Sequence, residues 1–144
     1  ASCGGATISI HAPDTTFLIS ANGTAPSGWE CRDQAYCVSA GYSNIRMTAP
    51  GTGPFADMAV IGPLDPAQAD GALFTAGASG AVVSGAFYFP NGPITASGGA
   101  SASGGSGGCL QLIGSEITLS GGTSLASECE IPQSGGSGRV VILR

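Results

Sequence analysis

Gly85-Ala86-Phe87-Tyr88-Phe89-Pro90-Asn91-Gly92-Pro93-Ile94-Thr95-Ala96-Ser97-Gly98-Gly99-Ala100-Ser101 lies without a gap over Gly108-Cys109-Leu110-Gln111-Leu112-Ile113-Gly114-Ser115-Glu116-Ile117-Thr118-Leu119-Ser120-Gly121-Gly122-Thr123-Ser124, at a spacing of 23 residues (108 − 85). Gly85, Ile94, Thr95, Ser97, Gly98, Gly99 and Ser101 all meet an identical residue 23 positions on. Self-similarity at this period is the mark of a repeat architecture. The triplet Phe87-Tyr88-Phe89 falls on Leu110-Gln111-Leu112, so each unit reads as two short alternating strands separated by a turn. A unit this small cannot bury an apolar face by itself. Stacked units pair every strand with the next and share one narrow core. Glycine and serine at the corners suit backbone turns that need positive φ or a side chain that bonds its own main chain.

Upstream the repeat loosens. Leu73-Phe74-Thr75 before Gly77-Ala78-Ser79 resembles Ile94-Thr95-Ala96 before Gly98-Gly99, and Met58-Ala59-Val60-Ile61 takes the place of the Phe87 strand, which makes Gly62 to Asp70 an inserted loop. A second echo sets Ile8-Ser9-Ile10-His11-Ala12-Pro13 against Ile45-Arg46-Met47-Thr48-Ala49-Pro50, 37 residues apart (45 − 8). The expected fold is all-β: a right-handed parallel β-helix, or β-solenoid, forming one domain over 1–144. Irregular, loop-decorated coils with a disulfide loop occupy 1–84, and regular coils of ~23 residues with a C-terminal strand occupy 85–144. The competing reading is a β-sandwich, since Asn91-Gly92 and Gly98-Gly99 also suit hairpin turns.

Composition fits one domain with a small, weakly charged surface. The 144 residues include 25 glycines, only 9% are charged, and there is no lysine. A hydrophobic fraction of 42% and a mean hydropathy of +0.28 argue for a folded chain, because disordered chains are poor in apolar residues and rich in charge. Four arginines without a basic cluster and a net charge of −5 speak against nucleic-acid binding. No apolar run reaches the roughly 18 to 20 residues that cross a bilayer as a helix, so no transmembrane segment is expected. The opening Ala1-Ser2-Cys3 is read as that of a processed product or fragment.

Five cysteines, Cys3, Cys31, Cys37, Cys109 and Cys129, show neither paired CxxC motifs nor Cys/His clusters. Disulfides in an oxidising compartment are the expectation, which places the chain outside the cell or in a bacterial envelope. Cys109 with Cys129 and Cys31 with Cys37 are the preferred pairs. Cys3 is then left unpaired or joins another chain.

The order of motifs resembles the C-terminal region of TadG-like proteins of the bacterial Tad (tight adherence, Flp) pilus-assembly system. The matching stretches are Thr48-Ala49-Pro50 leading to Met58-Ala59-Val60-Ile61, then Ser84-Gly85-Ala86-Phe87-Tyr88-Phe89-Pro90, then Cys109-Leu110-Gln111-Leu112-Ile113 through Ser120-Gly121-Gly122-Thr123-Ser124-Leu125. The resemblance runs from about Ile45 onward and more weakly from Ala6. It implies a structural module at the cell envelope, with pilus or envelope components or further copies of itself as partners. Relatives of that kind usually carry an N-terminal hydrophobic anchor, and this sequence is read either as one from which the anchor has been cut away or as a secreted cousin that keeps the solenoid.

Few catalytic sets can be built from one histidine and no lysine. Alternation in Ile8-Ser9-Ile10-His11-Ala12 puts His11 on the side of Ser9, as an exposed strand residue; the catalytic alternative pairs it with Asp14. The acids are scattered, and the closest pair, Glu128 and Glu130, reads as a solvated edge, with a weak Ca²⁺ site as the alternative. No cofactor is expected. The tract from Ser97 to Gly108 lacks the Lys-Ser/Thr of a phosphate loop and the Asp of a calcium-binding repeat, and is read as a flexible turn. Asn22-Gly23-Thr24 matches a glycosylation sequon. Trp29, Tyr36 and Tyr42 read as core plugs around a disulfide loop, with a glycan-binding strip as the alternative.

The expected function is therefore a non-enzymatic structural module of a pilus or surface filament. Val140, Val141, Ile142 and Leu143 form an apolar C-terminal strand through which chains could join end to end. A glycan-, surface- or ice-binding solenoid is the second reading, drawn from the in-register Thr95 and Thr118. A polysaccharide-degrading enzyme is the third.

Overall fold

The structure, a computed structural model, describes residues 8–20, 31, 34–38, 42–75, 80–106 and 108–129. Among the described residues there are twelve strands and no helix: β1 (Ile8–Ala12), β2 (Phe17–Leu18), β3 (Gln34–Val38), β4 (Tyr42–Thr48), β5 (Met58–Ile61), β6 (Gly71–Phe74), β7 (Ala81–Phe89), β8 (Ile94–Ala96), β9 (Ser101–Ser103), β10 (Leu110–Gly114), β11 (Ile117–Leu119) and β12 (Ser124–Ala126). Every strand pair is parallel. The architecture is all-β and compatible with a solenoid class. Tight hairpins of a sandwich would require antiparallel neighbours.

The strands fall into three ladders. The first runs β1-β4-β7-β9-β12, the second β2-β5-β7-β10 and the third β3-β6-β8-β11. The chain visits them in cyclic order. Strand β7, nine residues long, serves the first two ladders in succession, pairing through Val82–Ser84 with β4 and through Ala86–Tyr88 with β5. It bends at Gly85, whose φ is +129° and whose missing side chain leaves room for Ala49 and Ala59.

Four side-chain columns line the space between the ladders. Phe17, Val60, Phe87 and Leu112 follow one another along the second ladder. Tyr36, Ala72, Ile94 and Ile117 make one column of the third ladder, and Val38, Phe74, Ala96 and Leu119 make the other. Ala12, Met47 and Val83 extend the core along the first. Phe87, Phe89, Met47, Ile94, Val38, Val60 and Val83 are all buried. Burying a side chain of this size contributes on the order of 1.5–3 kcal/mol, so the middle coils carry most of the apolar stabilisation.

The corners repeat where the sequence repeats. Gly98 and Gly99 have φ of +64° and +79°, and Gly121 and Gly122 have +65° and +77°, a left-handed pair that non-glycine residues rarely adopt. The Ala100 amide closes the first turn by donating to the Ser97 carbonyl at 3.1 Å, and the Ser120 amide donates to the Ala96 carbonyl at 2.9 Å, so pairing continues from one coil to the next around the bend.

The structure corrects the expected register in several places. Ile94 and Thr95 do face Ile117 and Thr118, 23 residues on, but Phe87 faces Leu112 rather than Leu110. The corner that spans Pro90–Pro93 in one coil shrinks to Ser115 and Glu116 in the next, which moves the strand by two residues. Ile10 likewise faces Ile45, 35 residues on rather than 37, after an irregularity between Ile8 and Ile10. Ala72, not Leu73, lies opposite Ile94, which turns Leu73 outward. Each regular coil also holds three strands rather than two. Ser101-Ala102-Ser103, read as part of a flexible turn, is strand β9 and pairs with both β7 and β12.

Candidate functional site

Strand alternation sends every second side chain outward, so each ladder presents an outer column. On the first ladder His11 lies beside Arg46, and Arg46 beside Val82. His11 and Arg46 are exposed. The neighbour that strand pairing brings to His11 is therefore a cation, not the carboxylate that a nucleophile-activating histidine needs. Asp14 lies in the turn after β1, with a φ of +46°. Among the described residues, no three His, Cys, Asp or Glu side chains gather as metal ligands would.

On the third ladder the outer column reads Cys37, Leu73, Thr95, Thr118. The threonine ladder is two rungs long because Leu73 and Cys37 interrupt it. The Thr118 hydroxyl turns along its own strand to donate to Glu116 Oε1 at 3.2 Å.

The second ladder carries an outer column that the repeat analysis missed: Leu18, Ile61, Tyr88 and Ile113, one apolar residue per rung across four coils. Leu18 is 58% exposed and Ile113 43% exposed, Tyr88 is half-buried and Ile61 is covered. Its signal was present in the strands themselves. Phe17-Leu18, Val60-Ile61, Phe87-Tyr88 and Leu112-Ile113 are adjacent apolar pairs, and a parallel strand that buries one member must turn the other outward. Leu64, on the loop that follows Ile61, is 63% exposed, and that loop is tied to the strand end by the Asn91 amide, which donates to the Pro63 carbonyl at 3.3 Å.

Two disulfides fasten the stack. Cys31 joins Cys37 on β3, with 5.6 Å between Cα atoms, and Cys109 joins Cys129 with 4.3 Å. Both are compatible with an oxidising extracellular environment. The second bond is backed by the Leu110 amide, which donates to Ser127 Oγ at 2.9 Å, and by the Glu128 amide, which donates to the Gly108 carbonyl at 3.2 Å. Tyr36 plugs the core: its ring meets Phe87 edge-on at 5.3 Å and Phe74 at 5.8 Å, and its hydroxyl donates to the Met47 sulfur at 3.5 Å. Glu128 is exposed at the edge after β12. Cys3, Trp29, Glu130, the sequon at Asn22 and the expected strand Val140–Leu143 lie outside the described residues, as does the Tyr42 side chain.

A small, partly open apolar gap of about 10 Å³ lies between Phe74, Val83, Phe87, Leu110, Leu112 and Leu125. That is about the space of one water, and no polar atom lines it. Among the described residues, no helix is long and apolar enough to cross a membrane. Comparison of the chain with protein-family models, with curated proteins and with solved structures finds no match.

Proposed function

We propose that this chain is a right-handed parallel β-solenoid that serves as a non-enzymatic structural module of a pilus or surface-filament assembly, outside the cell or in the bacterial envelope. The cyclic order of the three ladders supports the solenoid. The observation that carries the role is the outer column Leu18-Ile61-Tyr88-Ile113, an apolar stripe along the stacking direction. Leu18 and Ile113 are exposed and Tyr88 is half-buried; exposed apolar side chains aligned in one column suit contact with another macromolecule, and a rigid stack holds the column straight. The TadG-like order of motifs from Thr48 to Leu125 supports pilus or envelope components as the partners, beside further copies of the chain.

The test is made in the organism that produces the protein. Leu18→Glu with Ile113→Glu places charges at two exposed rungs without touching the core. Surface filaments should be lost or much reduced although the variant is secreted and folded. Normal filaments and adherence would refute the role. Light scattering with negative-stain electron microscopy of the oxidised protein then separates the partners, since ordered multimers indicate further copies and a stable monomer indicates an envelope component.

A further inference from the structure

Charge is sorted by position in this chain. The described acids, Asp14, Asp57, Asp65, Asp70, Glu116 and Glu128, all lie in turns and loops, and no described strand contains Asp or Glu. Among the described residues the basic side chains are His11 and Arg46. Strand pairing sets them side by side on the outer face of the first ladder, on rungs about 4.8 Å apart. Both are exposed. The rungs that continue their column hold Val82 and Ser103, and the next outward column sets Thr48 beside Ser84, about 7 Å further along the strands. Val82, Ser84 and Ser103 are half-buried and Thr48 is exposed. In a chain with a net charge of −5, an anion approaching this face meets positive charge with no competing carboxylate on the strands that carry it.

We propose that this face binds a carboxylate-bearing sugar, a uronate unit of an acidic polysaccharide, with Arg46 and His11 on its carboxylate. A guanidinium presents paired N–H donors that match the two oxygens of a carboxylate, and it keeps its charge throughout the ordinary pH range. The imidazole of His11 offers an N–H donor in either protonation state. Val82, next on the column, gives the C–H face of a sugar ring an aliphatic seat. The Thr48 and Ser84 hydroxyls, each able to donate and accept, meet the sugar's own hydroxyl groups. A small inorganic anion would use Arg46 and His11 but would find no use for Val82, Thr48 or Ser84. The mixture of one cation, one further donor, an aliphatic seat and paired hydroxyls therefore favours a sugar acid.

The inference rests on the pairing of β1, β4, β7 and β9 and on no role in filaments. Its test is a chemical-shift titration of the labelled, oxidised full chain with trigalacturonate, with neutral galactotriose and with inorganic phosphate, at low salt. Trigalacturonate should shift the amides of His11, Arg46, Val82 and Ser84 saturably below about 10 mM, and the neutral sugar should not. Arg46→Gln should weaken binding about tenfold or more and His11→Ala about threefold or more. Ser103→Asp, which keeps both basic residues, should weaken it as well by setting a carboxylate on the same column. Thr95→Ala, on the third ladder, should leave it unchanged. The substituted residues face outward, so the spectra of the variants should otherwise match the parent's. No saturable shift with trigalacturonate, or undiminished binding in Arg46→Gln, overturns the inference. Phosphate that gives the same shifts at the same concentrations also overturns it, by showing an adventitious ion only. An Overhauser contact between His11 and Arg46 in the free protein checks the pairing separately. Its absence removes ladder and site together, whereas its presence without uronate binding removes the site alone.

Discussion

Phe87 touches both Tyr36 and Phe74, with ring centroids 5.3 Å away in each case and both rings edge-on. It is 1% exposed. Truncating such a side chain removes its transfer energy and leaves a cavity, so Phe87→Ala should lower unfolding stability by about 3–5 kcal/mol in a urea titration. Thr95→Ala, on the outer column of the same coil, should stay within about 0.5 kcal/mol of the parent. Equal effects would mean that inside and outside are misassigned. Gly85→Ala is a separate backbone test. An added Cβ would sit 2.6 Å from Ala49 Cβ at a φ of +129°, and the expected loss is about 2 kcal/mol or more; a neutral substitution would remove the argument for a bend there. At this scale much was legible in the sequence. Ile94, Thr95, Ile117 and Thr118 keep their spacing because identical Ser-Gly-Gly corners follow them. The shift of Leu112 onto Phe87 was hidden because a two-residue slip leaves each side chain on its original face. Leu73 was misplaced for another reason: Ala72, Leu73 and Phe74 are all apolar, so alternation says nothing about which of them points inward.

Strand β9, three residues long, is paired on both edges. Ser101-Ala102-Ser103 has the composition of a turn, yet β9 lies between β7 and β12 and pairs with both, while Ser101 Oγ accepts from the Gly80 amide at 2.7 Å. That pairing is not encoded in its three residues, which is why this strand was illegible. The Cys109–Cys129 disulfide ties the element after β12 to the start of β10 across a sequence separation of 20. Closing a loop of this size restricts the unfolded chain by about 3 kcal/mol. Cys109→Ser with Cys129→Ser should therefore lower the urea midpoint clearly. Cys31→Ser with Cys37→Ser, which opens a loop of only six residues, should lower it less. The reverse order would show that the second disulfide fastens nothing.

For the whole molecule, one narrow core shared by three parallel ladders accounts for a composition low in charge and rich in glycine. Corners consume glycine, strands need only one apolar residue in two, and the outer columns hold few charges, His11 and Arg46 on the first ladder beside Cys37, Leu73, Thr95 and Thr118 on the third and the stripe from Leu18 to Ile113 on the second. Stability then depends on neighbouring coils. The stacking is tested most directly by nuclear Overhauser contacts in the labelled, oxidised protein. The account predicts sequential parallel contacts Leu73 to Thr95 to Thr118 on the third ladder and Ile61 to Tyr88 to Ile113 on the second. Antiparallel contacts between Phe87–Phe89 and Ile94–Ala96 within one repeat, with none between Thr95 and Thr118, would contradict it.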